Sequence, residues 1–286
     1  MQKLIAYLTI TLLSSILVSC QVKEQTSEVN NPKNIPVEKS DVTSASRVAK
    51  RLPEPAINNP PKKAIPKEIV DAVPILIYHS IAEDPDNDLM VSPSTFAAQM
   101  KHLSDAGYQT ITFQDLEEWE SGKPIPKKPI LLTFDDGYLD NYTAAYPVLT
   151  KHNLKATFFI STNYLGDARH ISWEQIKEMS DSGLIEFGSH TKSHPDLTVI
   201  SAAKRGEEIV ESKKIIEEKI GKEAIAFSYP AGAYNNIVIR ETAEAGYKFA
   251  VTTRPGDARI EQGLLTLHRV RIHGYYTADD FAELFP

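Results

Sequence analysis

Two short stretches of this chain hold the residue types from which a hydrolytic metal site can be built. The first is Thr133-Phe134-Asp135-Asp136-Gly137, which ends the apolar run 129–134. The second is His190-Thr191-Lys192-Ser193-His194, which follows the apolar run 184–188. Two adjacent carboxylates at the end of a buried strand carry a desolvation penalty that packing alone does not call for. Two imidazoles can join one of those carboxylates on a divalent ion, a donor set that suits Zn(II) first and equally Co, Ni or Fe(II). The expected ligands are Asp136, His190 and His194, with positions left for water and a substrate oxygen. Asp135 neighbours a ligand in the chain but is turned differently, so it is placed to take the proton of the water as general base. The reaction class that follows is hydrolysis of an amide or ester through a tetrahedral oxyanion. Taken singly, Asp-Asp-Gly is a common turn, and His-x-x-x-His in a loop says less than the same spacing on a helix. Their joint occurrence after two strand-like runs carries the reading.

Apolar, β-rich runs occur at 73–78, 108–112, 130–134, 156–160, 185–188, 225–229, 249–252 and 267–272. Segments with helical spacing lie between most of them. Ser92-Pro93 reads as an N-cap with Pro in the first turn, Phe96, Met100 and Leu103 share a face, and Gly107 is a C-terminal stop. Ser172-x-x-Gln175 and Thr277-x-x-Asp280 mark two more helix starts, and 201–220 is a long charged helix ended by Gly221. Such alternation predicts βαβ units in an α/β fold, a distorted or incomplete (β/α) barrel of about seven to eight parallel strands over residues 71–286. In that architecture chemistry gathers at the C-terminal ends of the strands. His79, the pair Asp135 and Asp136, the pair His190 and His194, and Tyr229-Pro230-Ala231-Gly232 all follow strand-like runs and are predicted to share one rim.

The N-terminus is different in kind. Lys3, the apolar stretch 4–18 and Leu17-Val18-Ser19-Cys20 predict an export signal over 1–20, too short to favour a spanning helix. Cys20 is the only cysteine, and its setting resembles the lipobox of bacterial lipoproteins, in which the signal is cut before a Cys that is then lipidated. A plain secretory signal is the alternative. Residues 21–70 are rich in Pro, Lys, Asn and Ser without apolar periodicity and predict a disordered tether. They hold nine Lys/Arg and six Asp/Glu, whereas 71–286 hold 21 basic and 32 acidic residues, a net of −11. A domain this acidic argues against nucleic acid as its main partner, and the sequence does not identify a protein partner. The predicted location is the cell envelope, with a lipid anchor in the membrane. Gln21 after the anchor favours the outer membrane if the organism has one.

Thr133 to Gly137 and His190 to His194 together resemble the first two signature motifs of the polysaccharide deacetylases, the NodB-homology group or carbohydrate esterase family four. The likeness spans roughly residues 73–272. It implies a distorted barrel, Asp135 as base, Asp136, His190 and His194 as metal ligands, and removal of acetate from an N-acetylated glycan polymer. Phe227-Ser228-Tyr229-Pro230-Ala231-Gly232 stands where the family usually has Arg-Pro-Pro-Tyr-Gly. Ser228 thus replaces the Arg that orients the base, and that role is vacant or filled from elsewhere. The amide near Ala231 is implied to help hold the oxyanion. Leu265-Thr266-Leu267-His268 matches a late motif that supplies a general acid, which would be His268, although Arg269 follows where an Asp is common. Pro74-Ile75-Leu76-Ile77-Tyr78-His79 and the Tyr-Pro-Ala-Gly form of the third motif resemble the branch of exported poly-N-acetylglucosamine deacetylases. There His79 would touch substrate or lie behind the metal ligands. Tyr229 and Trp173 are further candidates, as platforms for a sugar ring. Poly-N-acetylglucosamine is the first substrate choice, and peptidoglycan or a chitin-like glycan the alternative. An O-acetyl esterase and a non-catalytic glycan-binding lipoprotein are readings of other classes.

Overall fold

In a parallel barrel each strand sends alternate side chains to the barrel axis and to the surrounding helices, so its strands read as continuous apolar runs. The computed structural model describes residues 72–84, 86–120, 124 and 126–286. The predicted signal, tether and Cys20 lie outside the described residues. Among the described residues there are eight strands: β1 (Ile75–Tyr78), β2 (Gln109–Ile111), β3 (Pro129–Phe134), β4 (Ala156–Ile160), β5 (Ile185–Ser189), β6 (Ala226–Ser228), β7 (Phe249–Pro255) and β8 (Leu267–Arg271). They pair in parallel in the order β1-β8-β7-β6-β5-β4-β3, and β3 returns to β1. The barrel is therefore closed by seven strands. β2 stands outside the ring: Leu131 is partnered by both Ile75 of β1 and Ile111 of β2, while β4 joins β3 only from Thr133 onward.

Helices α1 (Pro93–Asp105), α2 (Phe113–Glu120), α3 (Tyr146–Lys151), α4 (Trp173–Asp181), α5 (Ala202–Gly206), α6 (Ser212–Ile220), α7 (Asn236–Glu244) and α8 (Ala278–Leu284) accompany the strands. Ser92, Ser172 and Thr277 cap α1, α4 and α8 as their spacing predicts, the last two as full capping boxes. The predicted helix over 201–220 is α5 and α6 joined by a π-helical turn, Glu207–Glu211, and it ends at Gly221 with φ 72°. No helix among the described residues is long and apolar enough to cross a membrane.

Strand alternation produces two main layers of core. Ile130, Leu132 and Phe134 of β3 and Ala156, Phe158 and Ile160 of β4 face outward and pack with Met100 and Leu103 of α1 and Ile176 and Met179 of α4. Ile75, Leu131, Phe159, Phe249, Val251 and Leu267 face inward and fill the axis. Each such fully buried side chain contributes about 1.5–3 kcal/mol. Gly188 is inward-facing too. A Cβ there would lie 2.7 Å from the Phe159 ring and from the Ala226 carbonyl, so Phe159 occupies the space of the missing side chain.

The inward phase of β5 also places Glu186 beneath the rim. Its carboxylate accepts bonds from the Thr157 hydroxyl (2.7 Å) and from the Phe113 and Gln114 amides (3.0 and 3.1 Å), closing the first turn of α2 against the barrel. Burial nevertheless pushes its carboxyl up to about 7, against the pull of those donors. The folded value exceeds the unfolded one, so the stability it contributes is complete below the unfolded value of 4.5 and is lost as pH rises through about 7. The urea midpoint is expected to fall across that window, by as much as about 3 kcal/mol in stability. Glu186→Gln is expected to flatten the profile; an unchanged profile in that variant would refute the assignment.

Candidate active site

The inward phase runs on past the C-terminal ends of the strands and selects the side chains of one cleft. Thr133 leads to Asp135 after β3, Ile77 to His79 after β1, and Gly188 to His190 after β5. Ser228 ends β6, and Leu267 leads to Arg269 and Arg271 in β8. His79, Asp135, Asp136, His190, His194, Ala231 and Arg271 line a cleft of about 390 Å³ at this rim. The predicted gathering on one rim is thus observed.

Asp136 breaks the phase. Its backbone is left-handed, φ 74°, which turns its carboxylate away from the axis and toward the histidines. Its Oδ1 lies 3.5 Å from His190 Nε2 and 3.7 Å from His194 Nε2. One ligand atom from each of the three residues falls within 4.8 Å of the others, a spacing that fits a single ion. The second ring nitrogen of His190 also fits this use, because Nδ1 donates to the Ser228 carbonyl at 2.7 Å and leaves Nε2 free toward Asp136. Burial, and after it the neighbouring His190, holds the His194 imidazole below its ordinary value, in the neutral form that ligates. Among the described residues five non-glycine positions have positive φ, and four of them, Asp136, Thr191, His194 and Ala231, belong to this rim. Strain of this kind persists only where surrounding bonds fix it. Here the buried Glu208 accepts from the Lys192 and Ser193 amides (2.9 and 2.8 Å) and the Ser193 hydroxyl (2.6 Å), clamping the histidine loop to the π-helical turn. Burial, and after it the neighbouring Asp136 charge, pushes the Tyr138 hydroxyl up to about 12.

Asp135 is 2% exposed and sits opposite a guanidinium that is itself buried. Arg269 Nη1 and Nη2 donate to the two carboxylate oxygens at 2.8 and 2.7 Å, and the Ser228 hydroxyl donates to Oδ2 at 3.1 Å. Arg269 is held by the Thr252 carbonyl and the Thr133 hydroxyl, at 2.9 and 3.1 Å. Burial alone would raise the Asp135 carboxyl. The Arg269 charge and its paired bonds outweigh burial and hold it well below the usual carboxylate range, so Asp135 is an ionised, fixed acceptor. The orienting role left open at Ser228 is therefore filled from β8, and Ser228 is its hydroxyl partner. Arg269 was visible in the sequence only as a departure from a family pattern; its signal was the two-residue step from Leu267 to the inward face.

The same alternation places two other residues singled out in the sequence away from the cleft. His268 lies one residue from Arg269, on the outward phase it shares with Val270, which packs on the outer core; it does not line the cleft. Tyr229 shares the outward phase of Phe227, is fully buried against Val238 of α7 and Tyr247, and donates to the Leu265 carbonyl at 3.0 Å. It offers no ring face to a sugar. Trp173 likewise packs on the outer core, under Lys219.

Ala231 does line the cleft, in a turn closed by Gly232 N–H to the Tyr229 carbonyl (2.8 Å) and Ala233 N–H to the Pro230 carbonyl (3.0 Å). Gly232 has φ 70°, and a Cβ there would stand 2.1 Å from Thr253 Oγ1. Gly232→Ala is expected to displace this turn, with kcat falling at least about tenfold and stability by roughly 1–3 kcal/mol. Turnover and a melting curve on the same preparation check it.

With this geometry in hand, the likeness to known proteins is specific. The family model for polysaccharide deacetylase matches residues 122–250. The protein YxkH of Bacillus subtilis (strain 168), whose name places it among polysaccharide deacetylases, is 37% identical over 268 residues, covering 93% of this chain and 92% of its own length. A poly-beta-1,6-N-acetyl-D-glucosamine N-deacetylase of Staphylococcus aureus is 27% identical over 210 residues, 66% of this chain and 72% of that one. Among solved structures, the Streptococcus pyogenes deacetylase PplD in complex with acetate is similar with TM-score 0.71 and 34% identity, covering 75% of this chain and 98% of its own. BC0361, a polysaccharide deacetylase from Bacillus cereus, follows with TM-score 0.68 and 38% identity over 74% of this chain and 68% of its own.

Proposed function

Because this chain belongs to the polysaccharide deacetylase family and is a polysaccharide N-deacetylase, a hydrolase, we propose that it uses a divalent metal to remove acetyl groups from poly-N-acetylglucosamine in the cell envelope. The observation that carries the metal-dependent part is the pairing of two units. An aspartate kept ionised by a buried arginine stands beside an Asp136, His190 and His194 cluster of ligand spacing. Support for the polymer comes from the relatives named as poly-beta-1,6-N-acetyl-D-glucosamine N-deacetylases, at 26–27% identity.

Asp136, His190 and His194 would hold the ion, Zn in the first place, with Co, Ni or Fe(II) compatible with the same donors. The bound ion would supply Lewis-acid polarisation of the acetamido carbonyl and a water of lowered pKa. Asp135 takes the proton of the attacking water with oxygens already fixed by Arg269 and Ser228, so little reorganisation accompanies the step. The Ala231 amide receives the developing oxyanion, and His79 lines the wall on which the acetamido group is oriented. With His268 on the outward face, Asp135 also hands the proton on to the departing amine. We extend the proposal to export on the 1–20 signal and anchoring through lipidated Cys20 by way of the 21–70 tether. Loss of the protein from the membrane fraction in Cys20→Ala tests that part.

The catalytic reading is tested by acetate release, with and without chelator, from β-1,6-linked, β-1,4-linked and peptidoglycan oligomers. Chelator-sensitive release, fastest from the β-1,6 series, is the expected result. The absence of chelator-sensitive release from every acetylated glycan would overturn it, and preference for O-acetyl over N-acetyl polymers would reassign it to an esterase.

A further inference from the structure

Two π-helical turns occur among the described residues, and each sends a fully buried polar side chain to a loop at the rim of the cleft. The first, Asn141–Ala145, begins at Asn141, whose Nδ2 donates to the His79 carbonyl at 2.7 Å. The second is Glu207–Glu211, between α5 and α6. A π turn closes its hydrogen bonds one residue later than an α turn. Two consecutive side chains of this one are fully buried: Ile209 packs with Leu197 and Phe227, and Glu208 turns to the histidine loop. A carboxylate without solvent access is costly unless its oxygens are bonded.

Glu208 Oε2 accepts from both the Lys192 and the Ser193 amides, at 2.9 and 2.8 Å, and Oε1 accepts from the Ser193 hydroxyl at 2.6 Å. The two consecutive amides converge on one oxygen because Thr191, just before them, is left-handed with φ 68°, which makes a concave backbone suited to an anion. Lys192 Nζ adds a bond to Glu207 of the same turn at 2.6 Å. The remaining groups of the loop are bonded as well. The carbonyls of His190, Thr191, Lys192 and Ser193 accept in turn from Ser161 (2.9 Å), Thr162 (3.2 Å), Asn163 (2.8 Å) and Tyr164 (2.9 Å). The amides of His190, Thr191 and His194 donate to the Ile160 carbonyl (2.9 Å), Ser189 Oγ (3.0 Å) and Thr191 Oγ1 (2.9 Å). Of these partners to the loop backbone, Glu208 alone lies outside the segments 160–164 and 189–194. His190 has its ring fixed by the Ser228 carbonyl, whereas His194 directly follows the clamped residues and is itself left-handed, φ 54°. The position of its imidazole is therefore carried by the backbone that Glu208 holds.

We infer that Glu208 is a positioning residue of the metal centre: by holding the Lys192 and Ser193 amides it fixes His194 where it can share one ion with Asp136 and His190, before any ion is bound. Glu208 is not itself a ligand; its effect passes through the loop. This role presupposes that Asp136, His190 and His194 bind a divalent ion, as proposed above, and makes the affinity of that site depend on a helix that does not reach it.

The test titrates the metal-free full chain with Zn(II) against a chromogenic chelator and records the visible spectrum of the Co(II)-loaded protein, at a temperature where circular dichroism shows every variant folded. Glu208→Met is expected to weaken Zn(II) binding about 10–100-fold and to change the Co(II) bands. Glu208→Asp, one methylene shorter, draws the acceptor back from the two amides and is expected to weaken binding at least about threefold. Glu208→Gln keeps an acceptor oxygen for both amides and is expected to stay within about threefold of wild type. Asp115→Ala removes the bond to Lys155 (2.8 Å) before the first residue of β4, at the other end of the barrel. It is expected to lower the melting temperature and leave Zn(II) affinity and the Co(II) spectrum unchanged. Wild-type affinity and spectrum in both the Met and Asp variants would overturn the positioning role while leaving the metal site intact. An equal loss in the Gln and Met variants, or a loss in Asp115→Ala as large as in Glu208→Met, would also overturn it. A wild type that binds neither ion would overturn it together with the metal-dependent reading.

Discussion

Replacing Asp135 by Asn is expected to lower kcat by about 10²–10⁴-fold while the metal remains bound. The Asn keeps the size of the side chain and one acceptor oxygen, so Arg269 Nη1 retains a partner where it now bonds Oδ1 at 2.8 Å. What it lacks is the lone pair of a second carboxylate oxygen and the charge that makes Asp135 a proton acceptor. The proposed ligands are untouched, because Asp136 leaves the inward phase at its left-handed backbone and turns away from Arg269. A competition titration with a chromogenic chelator should therefore give the wild-type affinity. The variant also leaves the buried Arg269 without a counter-charge, and stability is expected to fall by about 3–5 kcal/mol. Turnover must accordingly be compared at a temperature where both proteins are folded. Turnover within threefold of wild type, at equal metal content, would remove Asp135 from the base role.

The residues that sequence analysis placed correctly share one property: their neighbours in the chain carry the signal. Asp135 and Asp136 end an apolar run, the histidines follow another, and the helix caps at Ser92, Ser172 and Thr277 announce themselves within four residues. What escaped was pairing across the barrel. Closure of β3 onto β1, the displacement of β2, and the clamp of Glu208 on the histidine loop join segments whose local sequences do not mention each other. Arg269, Tyr229 and His268 are an intermediate case. Once 226–229 and 267–271 are read as strands, period-two alternation from Ala226 and Leu267 assigns Ser228 and Arg269 to the axis and Tyr229 and His268 to the outside. Position in a family motif carries no information about which way a strand side chain points. Phase is the stronger physical constraint, because a one-residue slip would send every inward side chain of the strand to the helices.

Arg269 is the second position of large expected effect. Arg269→Met preserves length and apolar volume but leaves the Asp135 carboxylate buried with one hydroxyl donor, Ser228, in place of a bidentate cation. Stability is expected to fall by about 3–5 kcal/mol and kcat by at least about tenfold, since the acceptor loses both its fixed orientation and its counter-charge. Combining Arg269→Met with Asp135→Asn should restore part of the stability, because no uncompensated charge then remains inside the barrel. A coupling energy of about 2 kcal/mol or more in that cycle is the expected signature of a direct pair. Stability alone does not separate an orienting arginine from one that merely fills the axis, so the decisive variant transposes the charge. Ser228 Oγ is 3.2 Å from Arg269 Nη2 and 3.1 Å from Asp135 Oδ2, so a guanidinium carried on β6 is within reach of the same carboxylate. Ser228→Arg in the Arg269→Ser background is expected to recover at least about tenfold in kcat over Arg269→Ser alone. Recovery of folding without recovery of turnover would mean that the direction from which the arginine reaches Asp135 matters as much as its charge, and would tie catalysis to the β8 placement in particular.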